Sequence, residues 1–479
     1  MKSIYEEKFW ISYTTDALLV QDSRMTDATP VIDETALNLK ISELVGDGVH
    51  IVIGSMVNAS GITLAKSVPV ARLGAFCQSG MGAAPVWDVF TIDGGIAFTE
   101  SISAVGDRRL RIDLDALRPL SDGRAWAPTS IYTQDGEPAA TCPRGLLRRI
   151  EGQLADHHLS ALIGHELEFV LVNPDGTALE ESYWTPYGLS GLVDRAAFVD
   201  DLVVETAAGG ISLEQVHAEY GRGQFEFSLP PASPVDAADN VVLAKLIVGI
   251  VARKHGLRAS FSPSPFPGTV GSGAHQHFSL SKNGAPLFAG GSHLHGITDE
   301  GGAAIGGIIA GLADVQGFLT GSILSGARLA PGTWSGAYAC WGLENREASV
   351  RFLSGGVSNP RGANVEVKII DPAANVYLAS AAVLALSLDG ITTGRHLPEE
   401  IVGDPGTLSD DERDRAGIHI LSADPAAIID KLDTSSLARR LMGDDIVDVT
   451  VAVRRYEQKT FAETDAAELA DKFRLAWSI

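Results

Sequence analysis

The sequence predicts an α+β protein with a small N-terminal domain and a larger C-terminal domain. The 479 residues are 45% hydrophobic and 20% charged, which is typical of a globular protein with a large core. Short runs with helical and strand periodicity alternate along the chain, as in mixed folds. Four of the strand-like runs have polar side chains on one face and apolar side chains on the other.

The N-terminal part divides into an unassigned segment and a small mixed domain. Residues 1–25 show no clear periodicity, so no fold is assigned to them. A small domain is expected over residues 26–135. Within it we expect a helix over Ile32–Val45 and strands over 50–57 and 96–105.

The C-terminal domain is expected over residues 140–479, where strands and helices alternate. The stretch 125–143, with its Asp-Gly turn, is predicted to be the loop that separates the two domains. One helix has clear limits, because Ser233 can cap it, Pro234 can begin it and Gly256 can end it.

The composition argues against several classes of protein. A net charge of −23 without a Lys/Arg-rich run disfavours nucleic-acid binding, whereas it suits cations and metal-complexed nucleotides. The three cysteines are far apart in sequence and form no CxxC pair, which points to a reducing cytoplasm. The N-terminus lacks a signal-peptide pattern and the apolar runs are short, so we expect a cytoplasmic protein without a membrane partner.

Four predicted strands carry ionisable or polar side chains on one face, since residues two apart on a strand point the same way. These residues are Glu166 and Glu168 in 164–172, Gln224, Glu226 and Ser228 in 223–229, His275, His277 and Ser279 in 274–280, and Glu366 and Lys368 in 365–370. The alternative is ordinary solvent-facing alternation of edge strands. Because the pattern occurs four times in a chain with only 12 histidines, we favour one sheet whose polar face holds cations.

Carboxylates crowded on one face repel each other unless a cation neutralises them. A site rich in carboxylates suits Mg²⁺ or Mn²⁺ better than zinc, and such ions serve phosphoryl transfer. Glu219 adds a carboxylate before a Gly-Arg-Gly turn, and Arg328, Arg346 and Arg351 follow downstream. Guanidinium groups pair with carboxylates and phosphoryl oxygens, although a single arginine is more often a surface residue or half of a structural ion pair.

Five motifs, in this order, resemble the glutamine synthetase family: GHELEF, EYGRGQFE, GSGAHQH, NREASVR and EVKIIDPAANVYLA. The resemblance is strong from about residue 140 to 395 and weak in the N-terminal part. It implies a β-grasp N-terminal domain and a catalytic domain whose antiparallel sheet is flanked by helices. It also implies a homo-oligomer, a dodecamer of two hexameric rings with active sites between adjacent subunits. The implied reaction uses ATP to phosphorylate the γ-carboxylate of glutamate, after which an amine displaces phosphate.

The resemblance further implies a role for each matching residue. One divalent ion would be held by Glu168, Glu219 and Glu226, and a second by Glu166, His275 and Glu366. Positions that contact the nucleotide match Glu214, His277, Ser279, Arg351 and, more loosely, Arg361. Positions that bind the amino-acid substrate match Gly271, Arg328, Arg346 and Lys368, and the phosphoryl group would be clamped by Arg346 and Arg351.

The chain departs from glutamine synthetase on the side where ammonia would bind. Ala83 stands where the family has an aspartate that deprotonates ammonium, and Trp334 stands where it has a glutamate in a mobile flap. The alternative for Trp334 is simple packing in a loop. The loss of two acids and the gain of an aromatic ring favour a substituted amine, for which Asp88 is a candidate base. Lys368 also replaces an arginine, and Val270 replaces an asparagine.

The leading hypothesis is an ATP-dependent ligase that joins L-glutamate to an organic amine with two or more Mg²⁺ or Mn²⁺ ions. Ala83 and Trp334 disfavour one alternative, an authentic glutamine synthetase that uses ammonia. The other is a non-catalytic ring scaffold, which the complete set of predicted metal ligands disfavours. The identity of the amine stays open among polyamines, ethanolamine, alkylamines and anilines. A second His-x-His pair, His293 and His295, is expected to lie in a polar loop.

Overall fold

The computed structural model describes residues 33–180, 183–359 and 362–479, so the segment 1–25 and Arg361 lie outside the described residues. The strands are β1 (Ile51–Val57), β2 (Thr63–Pro69), β3 (Met81–Ala83), β4 (Arg108–Ile112), β5 (Arg118–Pro119), β6 (Arg124–Tyr132), β7 (Leu159–Val172), β8 (Gln215–Ala218), β9 (Gln224–Ser228), β10 (Arg258–Ser260), β11 (Ala274–Lys282), β12 (Ala285–Pro286), β13 (Tyr338–Leu343), β14 (Ala348–Leu353), β15 (Asn364–Val367) and β16 (His419–Ile420). The helices are α1 (Glu34–Gly46), α2 (Leu73–Gln78), α3 (Pro143–Asp156), α4 (Leu189–Asp194), α5 (Ala196–Ala208), α6 (Pro234–Lys254), α7 (Asp299–Leu319), α8 (Val376–Thr393), α9 (Asp410–Ala416), α10 (Pro425–Thr434), α11 (Ser436–Met442), α12 (Asp444–Thr460) and α13 (Ala466–Phe473).

The first sheet has the order β2-β1-β6-β4-β3, with β5 beside β6. The expected loop over 125–143 is wrong in its first half, because β6 runs through the middle of this sheet. Both faces of β6 are covered, so its residues are buried without the alternation that identifies a half-exposed strand. Pro128 lies where the partner of β6 changes from β1 to β4, a position at which its missing N–H is tolerated.

The expected strand over 96–105 is also wrong. Only Ile96 pairs, in an isolated bridge to Phe90. Ile96, Ala97 and Ile102 instead pack against residues of α12, so their apolar side chains are buried by a helix rather than by a sheet. The domain limits 26–135 and 140–479 stay predictions.

The second sheet has the order β16-β13-β14-β15-β11-β7-β9-β8, with β10 beside β7 and β12 beside β11. Its pairs are antiparallel except for β13 with β14. The four strands singled out by their polar faces are the consecutive neighbours β15, β11, β7 and β9. The prediction of one sheet with one polar face is therefore confirmed, as is the α+β fold class.

Helices cover the apolar face of the second sheet. The inward side chains Phe225, Phe227 and Phe278 are fully buried there. Helix α6 follows Ser233 and ends before Gly256, as predicted. Helices α7 and α8 pack very closely, since a Cβ at Gly307 would lie 2.3 Å from the backbone oxygen of Leu386. Both are long and apolar enough to cross a membrane by length and composition, but 78% of each apolar window is buried inside the protein, as in a core helix.

A group of directly paired charges joins the first sheet to the helices of the second. We call Asp113, Arg144, Asp239 and Tyr377 the junction cluster. The Arg144 guanidinium donates to both carboxylate oxygens of Asp239, at 2.9 and 2.7 Å, and to Asp113 at 2.8 Å. The Tyr377 hydroxyl donates to Asp239 at 2.8 Å. Every charge in this cluster has a direct partner.

Candidate active site

The strand register places the predicted metal ligands directly opposite one another. Glu168 on β7 faces Glu226 on β9, and Glu166 faces His275 on β11. Glu366 on β15 faces His277 in the same way. Like charges directly opposite in a sheet are destabilising, so the pair of glutamates on β7 and β9 is not explained by sheet stability. We call this side of β15, β11, β7, β9 and β8 the polar face.

His275 lies at the centre of the polar face. Its Nδ1 is 3.4 Å from a carboxylate oxygen of Glu366 and 3.7 Å from one of Glu166. Its Nε2 is 3.9 Å from a carboxylate oxygen of Glu168. One imidazole therefore connects carboxylates that the resemblance divides between two ion sites.

Three sets of side chains bring their ligand atoms within 4.8 Å of one another and could each hold a metal ion. These sets are Glu166, Glu226 and His275; Glu166, His277 and Glu366; and His217, Glu219 and Glu226. Five of the six predicted ligands belong to them, whereas Glu168 does not. The donors are mostly carboxylates, the set that Mg²⁺ and Mn²⁺ prefer, so the residues fit the expected ions.

His217 is a candidate ligand that the sequence motifs do not predict. This residue lies on β8, and its Nε2 is 2.9 Å from a carboxylate oxygen of Glu219. The period-2 pattern could have found it, because it stands two residues before Glu219. The ring of Tyr187 stacks on this histidine with centroids 6.2 Å apart, and the Trp184 indole donates to the backbone oxygen of Glu219.

The polar face holds more negative charge than its own side chains compensate. Burial and the charges of Glu166, Glu168 and Glu219 raise the pKa of Glu226 to about 10. Burial opposes ionisation of Glu166, but the neighbouring imidazoles of His275 and His277, at 3.7 and 3.5 Å from its carboxylate oxygens, hold the pKa of Glu166 well below its usual range. Added cations would relieve this repulsion, which agrees with a divalent-ion site.

Glu366 is the exception, because it has two cationic partners. Lys368 donates to one of its oxygens at 3.0 Å, and Arg351 donates to the other at 2.9 Å. Burial opposes ionisation, but the Lys368 charge keeps the pKa of Glu366 below its usual value. The buried Nε of Arg351 has no hydrogen-bond partner within the described ranges. Arg346 is exposed and makes no hydrogen bond or ion pair with the part of the chain that the structure describes.

The predicted substrate residues Gly271 and Arg328 lie together beside the polar face. Arg328 is buried and donates to the backbone oxygens of Ile369 and Lys368, at 2.9 and 3.1 Å. A Cβ at Gly271 would lie 2.6 Å from a backbone oxygen and 2.7 Å from the Arg328 side chain, so only glycine fits. Arg328 also approaches His275 Nε2 at 3.4 Å, which links this group to the metal ligands.

Gln224 connects the metal ligands to the Gly271 segment. Its side-chain amide donates to Glu168 at 2.8 Å and to the backbone oxygen of Gly271 at 3.0 Å. Its own oxygen accepts from the backbone N–H of Gly221 at 2.8 Å. The sequence placed this buried residue on the polar face but gave it no role. One carboxylate oxygen of Glu168 is thus engaged by Gln224, while the other lies 3.9 Å from His275 Nε2.

Trp334 lies in a loop that connects Arg328 to β13. We call residues 330–336 the Trp334 loop. The tryptophan is 53% exposed, so packing in the interior does not explain it. The loop begins two residues after Arg328 and ends at Gly336, which lies against Lys368. Both ends therefore lie beside residues that touch metal ligands.

The comparison with protein families gives a match to the glutamine synthetase catalytic domain over residues 140–470. The chain belongs to the glutamine synthetase family. It is 37% identical to the gamma-glutamylpolyamine synthetase GlnA3 of Streptomyces coelicolor, over 90% of this chain and 94% of that protein. It is 27% identical to a glutamine synthetase of Clostridium saccharobutylicum, over 78% of this chain and 84% of that protein. A solved structure of a glutamine synthase homologue superposes with a TM-score of 0.80 at 29% identity, covering 89% of this chain and 98% of that chain.

As a glutamine synthetase family member the protein is an ATP-dependent ligase of the glutamate–amine type, and this family uses ATP and divalent metal ions. The predicted family is thereby confirmed. The roles of individual residues stay predictions. Among the predicted ATP contacts, Ser279 is half-buried on β11 and Glu214 is exposed just before β8.

Three further expectations concern residues away from the polar face. Ala83 is buried in β3 of the first sheet, not in the sheet that carries the metal ligands. Asp88, the candidate base, is 3% exposed and accepts a hydrogen bond from Thr141, so it is not positioned to meet an amine from solvent. His293 and His295, expected in a polar loop, pair separately with Asp299 and Glu400 and form no shared metal group within the described residues.

Proposed function

We propose that the protein joins the γ-carboxylate of L-glutamate to an organic amine through a γ-glutamyl phosphate. ATP is the phosphoryl donor, and Mg²⁺ or Mn²⁺ is the cation. The observation that carries this proposal is the half-exposed Trp334 in a loop whose ends lie beside Arg328 and Lys368, two residues that touch predicted metal ligands. A flap glutamate would attract ammonium, whereas an indole favours an amine with a carbon substituent. The similarity to a gamma-glutamylpolyamine synthetase supports a polyamine as the first amine to test.

The polar face supplies the groups that phosphoryl transfer needs. Glu166, Glu226 and His275 would hold one cation, and Glu219 with His217 would hold another beside it. Cations bound there compensate the charge on the transferred phosphoryl group and on the leaving ADP. Arg346 and the unpartnered Nε of Arg351 can donate to phosphoryl oxygens. Lys368 keeps Glu366 ionised, so this ligand stays available to a cation.

Glutamate is bound on the side of Gly271 and Arg328. The absence of a side chain at Gly271 lets Arg328 pack directly against this segment, and this packing would hold both residues in place beside the substrate. Gln224 fixes this segment relative to Glu168 and so sets the distance between the acceptor carboxylate and the cations. Glu214, His277 and Ser279 are the proposed nucleotide contacts on the neighbouring strands, and Arg361 is proposed from the sequence alone.

The active unit is a homo-oligomer, a cytoplasmic dodecamer of two hexameric rings. Ala83 lies in the first sheet, whereas the predicted metal ligands lie on the second sheet. A neighbouring subunit would bring Ala83 to the amine side. Light scattering tests this assembly, and a fully active monomer would contradict it.

The deciding experiment measures phosphate release from ATP and glutamate with ammonia, ethanolamine, isopropylamine, putrescine and aniline. We expect a higher kcat/KM for at least one substituted amine than for ammonia. The double variant with Trp334→Glu and Ala83→Asp should move the preference towards ammonia. If ammonia is the best substrate of the unmodified protein, the authentic glutamine synthetase alternative is right. If no amine in this panel gives glutamate-dependent phosphate release, the proposed amine specificity is wrong.

A further inference from the structure

One buried carboxylate ties the tip of the Trp334 loop to the second sheet. Glu347 accepts the backbone N–H of Trp334 on Oε1 at 3.0 Å and the backbone N–H of Gly332 on Oε2 at 3.2 Å. It is 6% exposed and directly precedes β14. Both carboxylate oxygens of Glu347 therefore accept hydrogen bonds from the same loop.

The backbone of the loop needs such a restraint. Trp334 has a φ of 55°, a left-handed conformation that bulky residues rarely adopt. A residue stays in this region when its surroundings fix it. The hydroxyls of Thr333 and Ser335 both bond to Ala330, which lies inside the same loop. These two bonds shape the loop, whereas the Glu347 bonds fix its tip to the sheet.

The position of Glu347 relates the loop to the reacting groups. Its neighbour in sequence, Arg346, is the exposed guanidinium proposed to contact the transferred phosphoryl group. Four residues after Glu347, Arg351 pairs with Glu366 on the polar face. The same short segment thus carries the phosphoryl contacts and the restraint on the loop that presents Trp334.

We propose that Glu347 is a positioning residue for amine selection. By holding the N–H groups of Gly332 and Trp334, it keeps the indole as a wall of the amine-binding space. Loss of this restraint lets the indole move, so it weakens binding of the substituted amine while ATP binding is preserved. This inference rests on the proposed function, because it assigns the Trp334 loop to the amine.

The test compares Glu347→Ala, Glu347→Gln and Trp334→Ala with the control Glu344→Gln. Glu344 is an exposed acid in the same segment whose side chain makes no described contact with the loop. Hydrogen–deuterium exchange of the peptide spanning 330–336 should be at least about tenfold faster in Glu347→Ala, because two amide donors lose their acceptor. Glu347→Gln keeps one carbonyl oxygen and should be intermediate, and Glu344→Gln should match the unmodified protein.

The kinetic arm measures KM for ATP and for the best amine in the same variants. In Glu347→Ala we expect the KM of the amine to rise about tenfold or more and the KM of ATP to change less than about twofold. Glu347→Ala combined with Trp334→Ala should be no worse than Trp334→Ala alone, since both changes remove the same wall. Glu347→Gln should recover part of the amine KM.

Three results would overturn the inference. They are an equal rise in both KM values, unchanged loop exchange in Glu347→Ala, and additive losses in the double variant. A protein that uses ammonia alone would refute the proposed function, and with it amine selection by Glu347. Faster loop exchange in that case would still establish that Glu347 positions the loop, so the two failures are distinguishable.

Discussion

The junction cluster and the polar face are both buried groups of charged residues, but they are built in opposite ways. In the junction cluster Arg144 bonds to both Asp239 and Asp113, and Arg148 adds a second cation at 3.0 Å from Asp113. On the polar face, within the described ranges, no lysine or arginine comes within ion-pair distance of four of the carboxylates. These are Glu166, Glu168, Glu219 and Glu226.

This difference separates charges that hold the fold together from charges that are kept for a ligand. Breaking a buried pair is costly because one charge is left without a partner. Crowded carboxylates repel one another instead, so they lower the free energy of unfolding of the metal-free protein. Cation binding removes this repulsion and restores the lost stability. We therefore expect substitutions in the two clusters to affect different measurements.

The largest effect is expected from Glu226→Gln on the polar face. This change replaces a predicted metal ligand with a neutral amide. The rate of phosphate release should fall at least about 100-fold, because the negative charge of the transferred phosphoryl group is then less well neutralised by a bound cation. The melting temperature without metal should stay the same or rise, since burial and neighbouring charges already raise the pKa of Glu226 to about 10. Glu166→Gln and His275→Ala should also lose turnover. Near-normal turnover in any two of these variants, at saturating ATP and Mg²⁺, would contradict the cation site.

The next effect is expected from Arg144→Met in the junction cluster. This change leaves Asp239 and Asp113 without their central partner and should lower the free energy of unfolding by about 3–5 kcal/mol. Activity per folded molecule should stay near normal. The matched control is Arg148→Met, whose side chain is 33% exposed and whose loss should cost about 0–1 kcal/mol. Equal losses in urea unfolding for both variants would refute the distinction between the clusters.

The sequence predicted the polar face better than the first sheet, for a physical reason. Period-2 alternation identifies a strand with one buried and one polar face, and β7, β9, β11 and β15 are such strands. Strand β6 has no such alternation of polar and apolar residues, so the sequence predicts a loop there. In the segment 96–105 only Ala97 and Ile102 are buried, and they pack against α12, which no local pattern reveals.

The residues of the candidate site also divide into those that a local sequence pattern predicts and those that it does not. Ligands on the predicted strands were found from their spacing, whereas Gln224 and Glu347 act through bonds to distant backbone groups. Those bonds depend on how separate segments meet in space, which a single sequence does not encode locally. Asp88 shows the converse, because a suitable residue type near Ala83 proved to be buried against Thr141.

A smaller effect is expected from metal binding to the unmodified protein. Mg²⁺ or Mn²⁺ at about 100 times its dissociation constant should add about 2.7 kcal/mol to the free energy of unfolding, measured after removal of bound metal with EDTA. Glu226→Gln should lose most of this gain, whereas Arg144→Met should keep it, because Arg144 lies in the other cluster. A full gain in Glu226→Gln would mean that the cation binds elsewhere.

The smallest effect is expected from Asp88, a buried carboxylate that belongs to neither cluster. Burial raises the pKa of Asp88 to about 6, while hydrogen bonding from Thr141 and the charge of Arg108 oppose the rise. A raised pKa stabilises the fold while the group is protonated, and this contribution is lost as pH rises through about 6. Asp88→Asn should therefore be more stable than the unmodified protein by about 1–2 kcal/mol at pH 8, with little difference at pH 4. Thermal unfolding across this range, with the exposed Asp115→Asn as control, measures the effect. Destabilisation of Asp88→Asn at pH 8 would contradict this prediction. It would show that the Asp88 charge stabilises the fold, as the paired charges of the junction cluster do. The Thr141 hydroxyl and the charge of Arg108 would then suffice to stabilise a buried carboxylate.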